Sequence, residues 1–134
     1  MRVGNDEIDI QVSSADSGGA LLVAEVRMAA GGGPPGLHRH AAAEVYRVDE
    51  GELTIYLEDA AGEVARRITR AGETAHIPGG RAHTIRNESA HAARALVVFA
   101  PGTDMEAFVR AAATARPEDV MALAERHDIA FAAG

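Results

Sequence analysis

From Glu7 to Phe99 the chain is cut into short runs that alternate polar and apolar residues, each closed by turn-forming residues. That punctuation constrains the fold more than any other feature. A period of two puts apolar side chains on one face of an extended strand, whereas a helix needs a period near 3.6. Strands are predicted over Glu7–Val12, Ala20–Met28, Glu44–Val48, Leu53–Leu57, Glu63–Thr69, Thr74–Ile77, His83–Arg86 and Arg94–Phe99. Between them lie turn residues: Ser13 to Gly19, Asp49 to Gly51, Asp59 to Gly62 and Pro78 to Gly80. The run from Gly31 to Gly36, three glycines, two prolines and a glycine, holds neither helix nor ladder and must be a loop. Short strands at regular spacing predict an all-β sandwich or barrel.

The pattern changes after Pro101 and Gly102. Thr103 and Glu106 form a capping-box signature, with Thr103 as N-cap. Met105, Phe108, Val109 and Ala112 then recur at helical spacing, which predicts a helix to about Thr114. Pro117 opens a second helix through about His127, and Ile129 and Phe131 are the apolar positions of a short tail. Nothing in the sequence marks a boundary, so residues 1–134 read as one domain, with a barrel core over about 7–100 and a helical extension over 103–131.

Charge and residue usage remove several function classes. The net charge is −7, from 13 basic and 20 acidic residues, and no basic run occurs. Nucleic acid and anionic membrane are therefore not expected partners. Cysteine is absent, which excludes disulfides, thiolate metal sites and cysteine nucleophiles. The polar start MRVGNDEIDI does not resemble a signal peptide, so a cytoplasmic location is expected.

The chemistry is concentrated in Gly32 to Gly51. His38 and His40 are two apart, so both imidazoles face one way on extended backbone, and Glu44 keeps that parity on a continuing strand. Two imidazoles and a carboxylate on one face suit a divalent transition metal: iron, manganese, nickel, copper or zinc. A second stretch, Gly72 to Asn87, places His83 just after a Pro-Gly-Gly turn. In a rolled sheet its strand can lie beside that of Glu44 and supply a fourth ligand.

The spacings are specific. Gly32 is followed after five residues by His38, then His40, Glu44 after three and Gly51 after six. Gly72 is followed after five by Pro78, then Gly80, His83 after two and Asn87 after three. These stretches resemble the two signature motifs of the cupin superfamily, separated by twenty residues as in compact microbial single-domain members. The resemblance implies a double-stranded β-helix, or jelly-roll, barrel with two short C-terminal helices, and His38, His40, Glu44 and His83 as ligands inside. The helical extension is similar to that of quercetinase-like cupins.

Other residues have two readings each. Tyr46 shares the parity of Glu44 and is a pocket candidate, as are His76 and Phe108, though a buried tyrosine, a solvent-facing histidine and a packing phenylalanine fit equally. Arg86 can serve as a carboxylate clamp, Asn87 as a turn-fixing side chain, and His127 as a helix C-terminal residue. Three functions are consistent with the pattern. One is a metal-dependent dioxygenase-type enzyme on a small enol- or hydroxyl-bearing substrate, with Glu44 as ligand or proton acceptor. Another is a non-redox isomerase or lyase, disfavoured for phosphorylated sugars because the chain has no lysine. The last is a ligand-binding module without turnover. A homodimer is expected, with Glu7–Val12 pairing across a partner's sheet.

Overall fold

The computed structural model describes residues 1–132. Eleven strands form two antiparallel sheets. They are β1 (Arg2–Val3), β2 (Asp6–Val12), β3 (Leu22–Met28), β4 (His38–Arg39), β5 (Ala43–Glu50) and β6 (Glu52–Glu58). β7 (Val64–Arg70), β8 (Thr74–Ile77), β9 (His83–Arg86), β10 (Ala93–Ala100) and β11 (Ala130–Phe131) follow. The six-stranded sheet has the order β1-β2-β3-β10-β5-β8, and the five-stranded sheet β11-β4-β9-β6-β7. Two facing sheets of this order are consistent with the predicted jelly-roll barrel.

Alternation in the sequence becomes alternation in burial. Along β3, Leu22, Ala24, Val26 and Met28 are buried, and along β10 so are Ala93, Ala95, Val97 and Phe99. They meet Leu53, Ile55 and Ile85 of the other sheet in one core. Burying each of the larger aliphatic side chains stabilises the fold by roughly 2 kcal/mol. Asn87 ties the ladder ends together. Its amide donates to the carbonyls of Met28 at 3.0 Å and His91 at 2.8 Å, and its oxygen accepts from the Ser89 backbone and hydroxyl.

The strand β2 pairs along its length with β3, from Asp6 opposite Met28 to Val12 opposite Val23. Two expectations are corrected here. The capping box does not form. The first helix, α1 (Thr103–Ala112), has Gly102 as its N-cap, and Glu106 instead accepts the Ser14 backbone N–H at 2.6 Å and pairs with Arg110. Gly102 itself lies so close to the Leu21 backbone that a Cβ there would collide with it. Arg86 clamps no carboxylate; its guanidinium holds the carbonyls of Gly31, Gly33 and Pro34 and so fixes the glycine-proline loop.

After α1, Pro117–Asp119 forms a 3-10 turn that leads into α2 (Val120–Arg126). The tail then adds β11 to β4, with Phe131 opposite His38. Among the described residues, no helix is long and apolar enough to cross a membrane.

Candidate metal centre

His38 enters from β4, His40 from the segment just after it, and His83 from β9, where it lies directly opposite His38. Glu44 comes from the other sheet, on β5, facing Phe99 and Ile77 in register. The chain therefore changes sheet between His40 and Ala43. Glu44 is not on a continuation of the histidine strand, and the strand of His83 lies beside that of His38 rather than that of Glu44. The four side chains converge from facing sheets instead of sharing one.

The turn before β9 sets this approach. Gly79 lies so close to the Ala41 carbonyl that a Cβ would collide with it, and the Gly80 N–H donates to the His40 carbonyl at 2.8 Å. The segment carrying His40 is thereby pinned to the turn that launches His83.

All four side chains are buried: His38 is 7% exposed, His40 6%, Glu44 3% and His83 1%. The Nδ1 atoms of the histidines lie 3.0 Å from the Gly36 carbonyl, 2.9 Å from that of Ala42 and 2.8 Å from that of Arg81. A carbonyl only accepts, so each Nδ1 carries a proton and it is Nε2 that is left to face a metal ion. The Nε2 atoms of His40 and His83 and the Oε2 of Glu44 are buried without a hydrogen-bond partner.

These orphaned donors fit a metal ion. The three imidazoles present ligand atoms within 4.8 Å of one another. Glu44 Oε1 lies 3.2 Å from His40 Nε2, and Oε2 lies 3.2 Å from His83 Nε2. Two donors each about 2.1 Å from one ion lie about 3.0 Å apart at a right angle and about 3.4 Å apart at the tetrahedral angle. The observed separations fall between.

Electrostatics agree. Burial pushes His38 down to about 4, so the ring is neutral. Burial alone would raise Glu44, but the imidazoles of His40 and His83 beside it outweigh this and hold the carboxyl at about 2. Burial opposes charge on His83 as well, yet Glu44 overcomes this and raises it. Glu44 thus favours positive charge beside it, which is what a metal ion brings.

The pocket candidates are placed differently. Tyr46 is buried inside the barrel, where burial and then the charges of Glu44 and Asp6 keep its hydroxyl protonated. His76 is exposed, because its neighbours Ala75 and Ile77 take the inward face of β8. Phe108 is half-buried and packs edge-on against His127 at 6.0 Å, behind the cleft and not along it. Tyr56 points outward, its hydroxyl donating to Glu88 at 2.6 Å.

A cleft of about 80 Å³ opens beside His40, with Ala42, Met105, Asp104, His127 and Asp128 among its walls. The last three, like Phe131 at 5.2 Å from the His38 ring, escaped the sequence reading because they come from the helical extension. No local periodicity marks a residue that meets a site more than sixty positions away. A larger open depression of about 420 Å³ around Gly51, Arg70 and His91 contains none of the four clustered side chains, and the smaller cleft touches only His40 among them.

Comparison with known proteins gives the same picture. Residues 24–99 match the cupin domain family. Among solved structures, the Thermus thermophilus protein TT1209 is 28% identical with a TM-score of 0.60, over 75% of this chain and 90% of that one. An oxalate oxidase bound to the substrate analogue glycolate is 22% identical, TM-score 0.60, over 92% and 72%. Bacillus subtilis oxalate decarboxylase, in a mutant form, is 21% identical with a TM-score of 0.66, over 77% of this chain and 27% of its own length. At these last identities the likeness concerns the fold alone. No protein of curated function matches the sequence.

Proposed function

We propose, from the premise that this chain belongs to the cupin domain family, that it is a metal-dependent, oxygenase-type enzyme. Its substrate in this reading is a small molecule bearing an enol or hydroxyl. One observation carries it: buried Nε2 atoms with fixed tautomers meet an ionised, half-unpartnered carboxylate at metal-ligand separations. His38, His40 and His83 would hold one divalent transition metal, with Glu44 as fourth ligand. A bound metal of this class supplies Lewis acidity and, where redox-active, electron transfer. The protein's own part is to orient the three imidazoles through their Nδ1–H bonds to carbonyls and to hold a negative charge beside the substrate. A carboxylate at about 2 is a weak base, so Glu44 serves first as ligand and accepts protons only from acidic enols.

The test loads the protein with iron, manganese, nickel or copper and follows oxygen uptake with enediols and flavonols. One ion per chain and uptake by a redox-metal form are expected, both lost in His40→Ala. Full loading with no uptake for every redox metal and substrate would reject the oxygenase reading. The assembly we propose is a homodimer, because β1 and β8 leave the six-stranded sheet with open edges. Light scattering should return twice the chain mass, and a monomer mass rejects it.

A further inference from the structure

The outer face of the six-stranded sheet departs from what a solvated sheet carries. An antiparallel sheet with one face on the core ordinarily turns polar side chains outward. The five-stranded sheet does so, with Glu52, Tyr56, Glu58 and Arg66 on its outer side. On the six-stranded sheet, register instead sets Val23, Val98 and Val45 in one row across β3, β10 and β5. All three are half-buried and alternate with the inward residues Ala24, Val97 and Tyr46. Leu96, the next outward position on β10, is 36% exposed, and Ala100 opposite Ala43 extends the apolar band the other way. Apolar patches of this extent on a protein surface mark interaction sites.

The charges around the band are arranged in opposition. Leu96 is flanked by Glu25 on β3 and Arg47 on β5. In the next row Arg94 is flanked by Arg27 on β3 and Glu50 on β5. The sign therefore reverses across β10 in both rows. Arg94 is neutralised within its own chain, 3.6 Å from Glu25 and 3.0 Å from Glu50. Arg27 and Arg47 enter no ion pair among the described residues.

A second copy of this chain complements that pattern. Laid face to face about a twofold axis along β10, it exchanges the two sides of the strand. Val23 then meets Val45 of the other copy, Glu25 meets Arg47, and Arg27 meets Glu50, each pair occurring twice. Leu96 and Val98 meet their own counterparts on the axis. An axis across the strands through Leu96 would instead set Glu25 on Glu25 and Arg47 on Arg47. The face is also large enough. Five strands about 4.8 Å apart and four outward rows about 7 Å apart span roughly 700 Å², close to the ~800 Å² per partner of a stable complex.

We propose that the outer face of β3, β10 and β5 is a self-association surface, taking a second copy over β10 with Leu96 at the twofold axis. The proposal rests on the homodimer reading above and gives that dimer an interface on the face of the sheet.

The test follows the mass of the full chain by light scattering across a dilution series. Leu96→Glu sets two carboxylates against each other on the axis and should weaken the dimer about a hundredfold. Glu25→Arg and Arg47→Glu should each weaken self-association about tenfold, and mixing the two variants in equal amounts should restore it, because opposite charges then face one another at both pairs. The chain has no cysteine, so Leu96→Cys offers a milder probe. A short bismaleimide should join two copies there across the ~10 Å between packed sheets, and should not do so at His76→Cys on β8. A monomer mass for the wild type would overturn both this surface and the homodimer. A dimer that persists in Leu96→Glu, with no cross-link in Leu96→Cys, would overturn the surface and leave the homodimer standing. Weakening in both charge variants without recovery on mixing would overturn the twofold arrangement.

Discussion

Asp6 shows how a single residue can set a pH response. It opens β2 opposite Met28, and its Oδ1 is buried without a hydrogen-bond partner. Burial lifts the carboxyl from 3.8 to about 6, against the lowering pull of Arg86. The folded chain therefore holds this proton more tightly than the unfolded chain. The resulting stability is full below about pH 4 and is lost as pH rises through about 6. Asp6→Asn should stabilise the protein at pH 7 by about 1 kcal/mol, after discounting for partial solvent screening, with no gain at pH 4. Urea melts at the two pH values read this, and an equal effect at both would show that the carboxyl's titration is not the cause. The metal cluster follows a related logic with the opposite outcome. There the buried carboxylate has two imidazoles beside it, and ionisation is favoured.

At the scale of elements, the C-terminal tail is part of the site's scaffold. β11 pairs with β4, the Ala132 N–H donates to the Leu37 carbonyl at 2.8 Å, and Phe131 stacks at a tilt on His38. Two short strands thus hold one another, and one of them carries His38. Phe131→Ala should lower zinc or cobalt affinity about tenfold, as for other groups that orient a metal ligand from behind. It should cost apo stability only modestly, because Phe131 is half-buried. Titration against a competing chelator measures the first effect and thermal melting the second. Unchanged metal affinity would mean that the tail covers the barrel without orienting His38.

For the whole molecule, the four clustered side chains join the two sheets, since Glu44 belongs to one and His38 and His83 to the other. An ion held there binds the folded barrel and has no comparable site in the unfolded chain. At free metal a thousandfold above its dissociation constant the gain is about 4 kcal/mol. For a domain of this size that shifts the melting temperature by roughly 10 °C or more. Chelator-treated and metal-loaded samples should differ by that amount, and His83→Ala should remove most of the difference. Equal melting temperatures would count against a metal shared between the sheets.

Much of this protein is legible along the chain. Alternation marks the long strands, because burial on a sheet repeats every two residues, and Leu22 to Met28 shows it in both sequence and structure. The histidine and glutamate spacings are local too, and they single out side chains that the fold then brings together. Local motifs fail where a distant group competes. Glu106 had the place of a capping residue, but the Ser14 N–H, ninety-two positions away, drew it off. The two-residue strands β4 and β11 carry too few residues to show a period. The sequence determined the long strands and marked His38, His40, Glu44 and His83 by their spacing, since each of these signals depends only on near neighbours. Tertiary structure alone decided that Glu44 meets the histidines from the other sheet and that Asp104, His127 and Asp128 line a cleft beside His40. Contacts between elements far apart in sequence are set by packing and register, which no local pattern encodes.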